Sequence, residues 1–152
     1  MSLSSYQIRW CNHLADIPQG DWDALAMPLN TPFLEWEWLN TLETSGSVTA
    51  ETGWLPTHLT VWKGQALVGA APLYVKGHSY GEFVFDNQWA ELAQRMGIRY
   101  YPKLVGMSPI TPAEGYRFLM APGENEAAIT ELMVRAIDEF CTTHRLSGCH
   151  FL

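Results

Sequence analysis

The chain has 152 residues, 47% of them apolar and 16% charged, with a formal charge of −7 at pH 7. That length fits one domain with a sizeable core, and the acidic balance excludes a general nucleic-acid-binding surface, which relies on clustered Lys and Arg. Seven tryptophans in so lightly charged a chain favour a Trp-rich core or a buried interface with another domain or subunit, a homo-oligomer included.

"SYQIRWC" alternates as a first strand, Tyr6 to Cys11, and a short helix follows around Asp21 to Ala26. "NTPFLEWEWLNTLETSG" predicts a helix with Thr31 as cap, Pro32 in the first helical position and Gly46 closing it. Leu34, Trp38 and Leu42 then share a core face. "HLTVWK" and "ALVGAAPLYVK" read as a hairpin turned at Gly64-Gln65, and Pro72 requires an edge or a bulge.

After "KGHSYGEFVFD", the apolar spacing of Trp89, Leu92, Ala93 and Met96 predicts a helix ending at Gly97, with Asp86 as its cap. "YYPKLVGM" is a buried strand and "SPITPAEGY" a loop. The longest helix spans Glu124 to Arg145, on the stripe Ile129, Leu132, Met133, Ala136, Ile137 and Phe140, and "CHFL" begins another strand. A hairpin followed by a late strand–helix–strand unit makes the class α+β, a mixed and mainly antiparallel sheet flanked by helices. The apolar ending on "CHFL" is read as the first lobe of a longer protein.

Three cysteines (Cys11, Cys141 and Cys149) without CxxC spacing argue against a disulfide framework or a zinc site, and for a reducing compartment. Neither a secretory signal nor a run of 18 apolar residues is visible, so a cytoplasmic location without a membrane span is expected. In the middle third, Lys76, Arg95, Arg99, Lys103 and Arg117 slightly outnumber the acids Glu82, Asp86, Glu91 and Glu114. An anionic ligand meets least opposition there.

The strings "PFLEWEWLNTLETSGSV", "GWLPTHLTV", "LVGAAPLYVKGHSYGEFVFD" and "YYPKLVGMSPITPAEGYRFL" resemble the FemAB-like family of peptidoglycan biosynthesis or recognition proteins, within the acyl-CoA N-acyltransferase (GNAT) superfamily. The resemblance implies a GNAT-like lobe over residues 1–152, partnered by a second acyltransferase-like lobe. It also implies acyl or aminoacyl transfer to an amine of a peptidoglycan precursor or related substrate, with aminoacyl-tRNA or acyl-CoA as donor. Two alternatives stand beside it: a non-catalytic peptidoglycan-recognition or lobe-docking module, and an acetyl-CoA-dependent N-acetyltransferase acting on a small amine. Acyl-CoA-dependent members carry a [QR]xxGx[GA] run before the long helix, where backbone N–H groups cradle the pyrophosphate. Here "GMSPITPAEGYRFLMAPGENEAA" lacks that spacing and places Glu124 and Glu126 at the helix start, so no cofactor is firmly implied.

Amine acylation needs a proton acceptor for the amine, polarisation of the carbonyl and an acid for the leaving group. Glu82, on the polar loop after a strand, is the leading base, and His78 can shuttle protons or bind a phosphate. Tyr80, Tyr100 and Tyr101 offer flat faces and hydroxyls; the resemblance implies that one tyrosine serves as acid. Ser79 lacks the G-x-S-x-G setting of a covalent nucleophile and joins Lys76, Lys103, Thr111 and Arg117 as substrate contacts. His144 and His150 read as structural, and no metal-ligand spacing is present. The segments Lys76 to Asp86, Tyr100 to Lys103 and Ser108 to Arg117 are expected to converge where the fourth and fifth strands splay apart.

Overall fold

The computed structural model describes residues 5–80, 86–115 and 118–152. The described residues form two four-stranded sheets. One has the order β1-β3-β4-β7, formed by Tyr6–Cys11, His58–Lys63, Ala66–Ala71 and Leu119–Met120. The other has the order β2-β5-β6-β8, formed by Trp54–Pro56, Leu73–Lys76, Lys103–Gly106 and Cys149–Phe151. All pairings are antiparallel except β6 with β8. Among the described residues four α-helices, α1 (Gln19–Ala26), α2 (Trp36–Thr44), α3 (Asn87–Arg95) and α4 (Glu126–Thr143), complete the α+β fold.

Pro72 takes neither an edge position nor a bulge within one strand. β4 ends at Ala71 in the first sheet and β5 begins at Leu73 in the second. A residue without an N–H cannot continue a ladder, and here it marks the passage between sheets. The register irregularity lies earlier on β4 itself, where Val61 and Trp62 of β3 pair with Gly69 and Leu67 and leave Val68 as the extra residue.

The segment after Thr31 also differs from expectation. Pro32–Leu34 form a single 3-10 turn, and Glu35 is extended (φ −70°, ψ 149°), so α2 starts at Trp36. The new start changes the buried face: Leu39 is fully enclosed, whereas Trp38 is 37% exposed. Asp23 on α1 supplies the cap, its Oδ1 accepting from the Trp36 N–H at 2.8 Å. Trp22 Nε1 donates to the Leu34 carbonyl at 2.8 Å, which ties α1 to the turn before α2.

These helices cover one face of the sheets through Leu14, Trp22, Leu34, Leu39, Trp62 and Leu67. On α4, Ile129, Met133, Ile137 and Cys141 recur every four residues and pack against Leu59, Val61, Leu73 and Leu104. Asn125 Oδ1 caps α4 from the Ala128 N–H at 3.1 Å. Among the described residues no helix is long and apolar enough to cross a membrane.

Candidate functional site

β5 and β6 pair so that Lys76 stands opposite Lys103. Both are withdrawn from water, at 2% and 1% exposure. A buried ammonium needs local compensation. Lys76 Nζ donates to the His78 carbonyl at 2.7 Å and lies 4.3 Å from the Trp54 ring centroid. Lys103 Nζ donates to Asp86 Oδ2 at 2.8 Å and to Tyr100 Oη at 2.9 Å, and sits 4.0 Å from the Tyr100 ring centroid.

Asp86 therefore does more than start a helix. It occupies the position before α3, but its side chain makes no capping bond. Its Oδ2 accepts from Lys103, from Tyr101 Oη at 2.9 Å and from Tyr100 Oη at 3.4 Å. Its Oδ1 is buried and has no hydrogen-bond partner among the described residues. Burial raises the Asp86 pKa, but the hydrogen bonds from Lys103 and Tyr101 outweigh it, so the net shift is downward and the group is ionised near neutral pH. Desolvation pushes the Tyr101 pKa up; Ser79 opposes the rise and Asp86 reinforces it. Tyr101 is a neutral phenol at any ordinary pH.

Ser79 Oγ lies 2.6 Å from Tyr101 Oη. Because the Tyr101 proton points at Asp86, Ser79 donates to Tyr101, and its own oxygen is left to accept. The result is a polarised run, Ser79 to Tyr101 to Asp86, anchored by Lys103. Ser147 fixes the Tyr100–Pro102 stretch from behind, its Oγ donating to the Tyr100 carbonyl at 2.6 Å and its N–H to the Pro102 carbonyl at 2.9 Å.

The run borders an open cavity of about 560 Å³, lined by Gly77, His78, Ser79, Tyr80, Asn87, Ala90, Glu91, Gln94, Ile98, Tyr100 and Tyr101. On the other flank of α3 lies a second, more apolar cavity of about 460 Å³. Its walls are Asp86, Trp89, Leu92, Ala93, Met96, Ile98, Tyr100, Lys103, His150 and Leu152. Asp86, Lys103 and Tyr100 thus stand between a polar and an apolar space.

A family described as peptidoglycan biosynthesis/recognition, the FemAB-like family, matches residues 13–152. The chain belongs to the FemAB-like family. No curated protein matches this FemAB-like chain. Among solved structures it is similar to a ribosomal-protein-alanine N-acetyltransferase from Brucella melitensis biovar Abortus 2308, at 10% identity and TM-score 0.53, covering 97% of this chain and 79% of that one. It is likewise similar to a GCN5-related N-acetyltransferase from Ralstonia eutropha JMP134, at 10% identity and TM-score 0.50, covering 97% and 82%. These likenesses show the GNAT fold.

Within this FemAB-like chain the structure brings together His78, Ser79, Tyr80, Tyr100 and Tyr101 around the polar cavity, with Lys103 beneath them. His78 stacks on Tyr80, ring centroids 4.9 Å apart, and Tyr80 is 83% exposed. Glu82 and Arg117 lie outside the described residues. Thr111 lines neither cavity: its Oγ1 donates to the Pro109 carbonyl at 2.9 Å and accepts from Ser108 at 3.4 Å, and Ser108 in turn accepts from Trp38 Nε1 at 3.0 Å. Two of the three segments expected to converge do so, and the described part of the third packs on α2. Nor do the fourth and fifth strands of the sequence reading, β6 and β8, splay apart. They pair in parallel over Leu104↔Cys149, Val105↔His150 and Gly106↔Phe151. Gly106 permits this, since a Cβ there would meet the Phe151 ring at 2.4 Å.

Sequence reasoning missed Asp86 as the hub and His150 as a cavity wall. A signal for the first was present. A lone acid after "FVF" and a lone lysine inside "YYPKLV" each sit in an apolar string, where a charge is buried only if paired.

Proposed function

We propose that this FemAB-like lobe takes part in N-acyl or aminoacyl transfer to an amine, with the acceptor held at the polar cavity by the Ser79–Tyr101–Asp86 run. The observation that carries this is the direction of that run. An ionised carboxylate draws the Tyr101 proton, Tyr101 draws the Ser79 proton, and the Ser79 oxygen presents lone pairs at the cavity wall. Such an oxygen accepts from an amine N–H and orients the nitrogen lone pair toward an acyl carbonyl. The GNAT fold and the family assignment support the same class of reaction.

In the step itself an N–C bond forms, the bond from acyl carbon to the donor's leaving atom breaks, the amine loses a proton and the leaving group gains one. Glu82 is the first candidate to take the amine proton, and His78 on the cavity wall is the second. Tyr101 keeps its proton and acts by orienting Ser79; Tyr80, exposed on the polar cavity wall, is our candidate to give the leaving group its proton. We assign the acceptor to a peptidoglycan precursor or related amine on the family description. A second acyltransferase-like lobe and a cytoplasmic setting belong to the same reading, the latter agreeing with three free thiols.

The donor's anchor differs from that of acyl-CoA-dependent relatives. The α4 N-terminus is capped by Asn125, and Glu124 stands before it, bound to Lys63 Nζ at 3.0 Å and Tyr6 Oη at 2.8 Å. A pyrophosphate does not fit beside that carboxylate, so the reading favours an acyl donor held elsewhere on the chain. Purified full-length protein should form an amide from an acyl or aminoacyl donor and an amine-bearing muramyl peptide, detected by mass spectrometry. Glu82→Gln should lose turnover and retain acceptor binding. Product formation unchanged in Glu82→Gln, Ser79→Ala and Tyr101→Phe alike would sink this site assignment.

A further inference from the structure

α3 is an unusual helix for a fold of this size, since none of its residues is buried. Its apolar stripe faces outward: Trp89 is 64% exposed, Leu92 46% and Met96 64%, with Ile98 following at 56%. An apolar stripe is normally turned toward a core. Here it forms a wall of the cavity of about 460 Å³, a size within the ordinary range of roughly 300–1,000 Å³ for small-molecule sites.

The floor of that cavity decides what it can hold. Among the described residues Lys103 and Asp86 are its charged groups, and they neutralise each other at 2.8 Å. His150 is the remaining titratable wall group with a nitrogen. Burial lowers its pKa first and the Lys103 charge further, against a smaller opposing effect of Asp86, so the imidazole is neutral near pH 7. Neither a free anion nor a free cation finds an uncompensated partner there. An uncharged polar group on an apolar body, able to accept from His150 and to donate to Asp86 Oδ1, unpartnered among the described residues, matches both floor and walls.

We infer that this second cavity is an acyl subsite, holding the apolar body of an uncharged acyl group on Trp89, Leu92 and Met96 with its carbonyl end toward Lys103 and His150. The substrate class is therefore an acyl donor with a medium-length aliphatic or aromatic acyl group, rather than acetyl. This rests on the transfer reading above and deepens it. The two cavities share Tyr100 and the α3 helix, so an acyl carbonyl at the boundary faces the amine side held by Ser79.

The test measures binding without turnover. Octanamide, octanoate, octylamine and acetamide are titrated into the purified full-length protein by calorimetry and by ligand-observed NMR. Saturable octanamide binding is expected, at least about tenfold tighter than acetamide because several methylenes leave water. It should also be tighter than either charged octyl probe. Leu92→Asp and Met96→Asp should each weaken octanamide at least about tenfold, while Val134→Asp, an exposed apolar position on α4, should leave it unchanged. Equal binding of octanamide and acetamide, or octanamide binding indifferent to Leu92→Asp and Met96→Asp, overturns the subsite. Absent octanamide binding in a protein that Leu92→Asp converts from dimer to monomer also overturns it, and makes the stripe an interface between copies. Amide formation with short acyl donors but no octanamide binding removes the subsite alone. Octanamide binding without transfer from any donor removes the transfer reading and leaves an uncharged-ligand site.

Discussion

Lys103 and Asp86, seventeen residues apart in the chain, meet at 2.8 Å with 1% and 10% of their side chains exposed. Removing one member of such a pair leaves the other charge enclosed, which costs far more than the pair's own net contribution. Asp86→Ala should lower unfolding free energy by about 3 kcal/mol in urea denaturation. The double variant Asp86→Ala/Lys103→Met should lose less than the two single losses combined, because it strands neither charge. A double variant as unstable as the sum would mean the pair is not the stabilising unit.

The same carboxylate sets an acid limit. The Asp86 pKa is lower folded than unfolded, so its contribution is present above the unfolded value of about 4 and is lost as pH falls through the folded value. Stability should decline below about pH 4 in wild type, and the decline should be shallower in Asp86→Asn. Tyr101 carries the opposite sign. Its raised pKa gives stability that is complete below the unfolded phenol value of about 10 and is lost as pH rises beyond it. Tyr101→Phe should flatten the alkaline limb and leave the acid limb in place. Urea midpoints measured across pH check both signs.

Gly53 controls the loop that carries the site. Its φ is +87°, and a Cβ there would lie 2.9 Å from the His78 carbonyl oxygen, the atom that accepts from Lys76. Gly53→Ala therefore combines left-handed strain with displacement of His78. We expect a loss of about 1–3 kcal/mol and a weakened acceptor affinity. Gly64→Ala, also at positive φ but with open space around it, should cost stability without affecting the acceptor. Equal acceptor affinity in both variants would separate the loop from the site.

Local pattern made much of this fold legible. β1 was read to the residue, the Gly64-Gln65 hairpin and the α4 stripe followed from period and turn chemistry, and β8 from its apolar string. β2 was not, because three residues carry no period. Of the Leu34–Trp38–Leu42 face, Leu34 and Leu42 do pack on the core and only Trp38 departs, because one extended residue, Glu35, restarts the helix and turns Leu39 inward. At the site, "KGHSYGEFVFD" and "YYPK" were readable as polar islands near each other. What sequence could not show is that Asp86 turns from its own helix end toward a lysine on a strand, a choice made by tertiary burial. The apolar period of α3 was legible as well, but period says nothing of which space it faces.

Ser79 offers the sharpest separation of orientation from folding. Its hydroxyl is the end of the run, so Ser79→Ala removes the acceptor for the amine while Tyr101 still donates to Asp86. The lost contact should raise KM for the amine about tenfold, the equivalent of ~1.4 kcal/mol, with a smaller change in kcat and an unfolding free energy within about 1 kcal/mol of wild type. Tyr101→Phe breaks the run one step deeper and unpairs Asp86 from a donor, so it should raise KM similarly and also weaken the fold. Ser79→Thr, which keeps the hydroxyl, should recover part of the affinity. Steady-state kinetics against amine concentration decides the matter. A Ser79→Ala variant that loses kcat at unchanged KM would place Ser79 in the chemical step rather than in holding the acceptor.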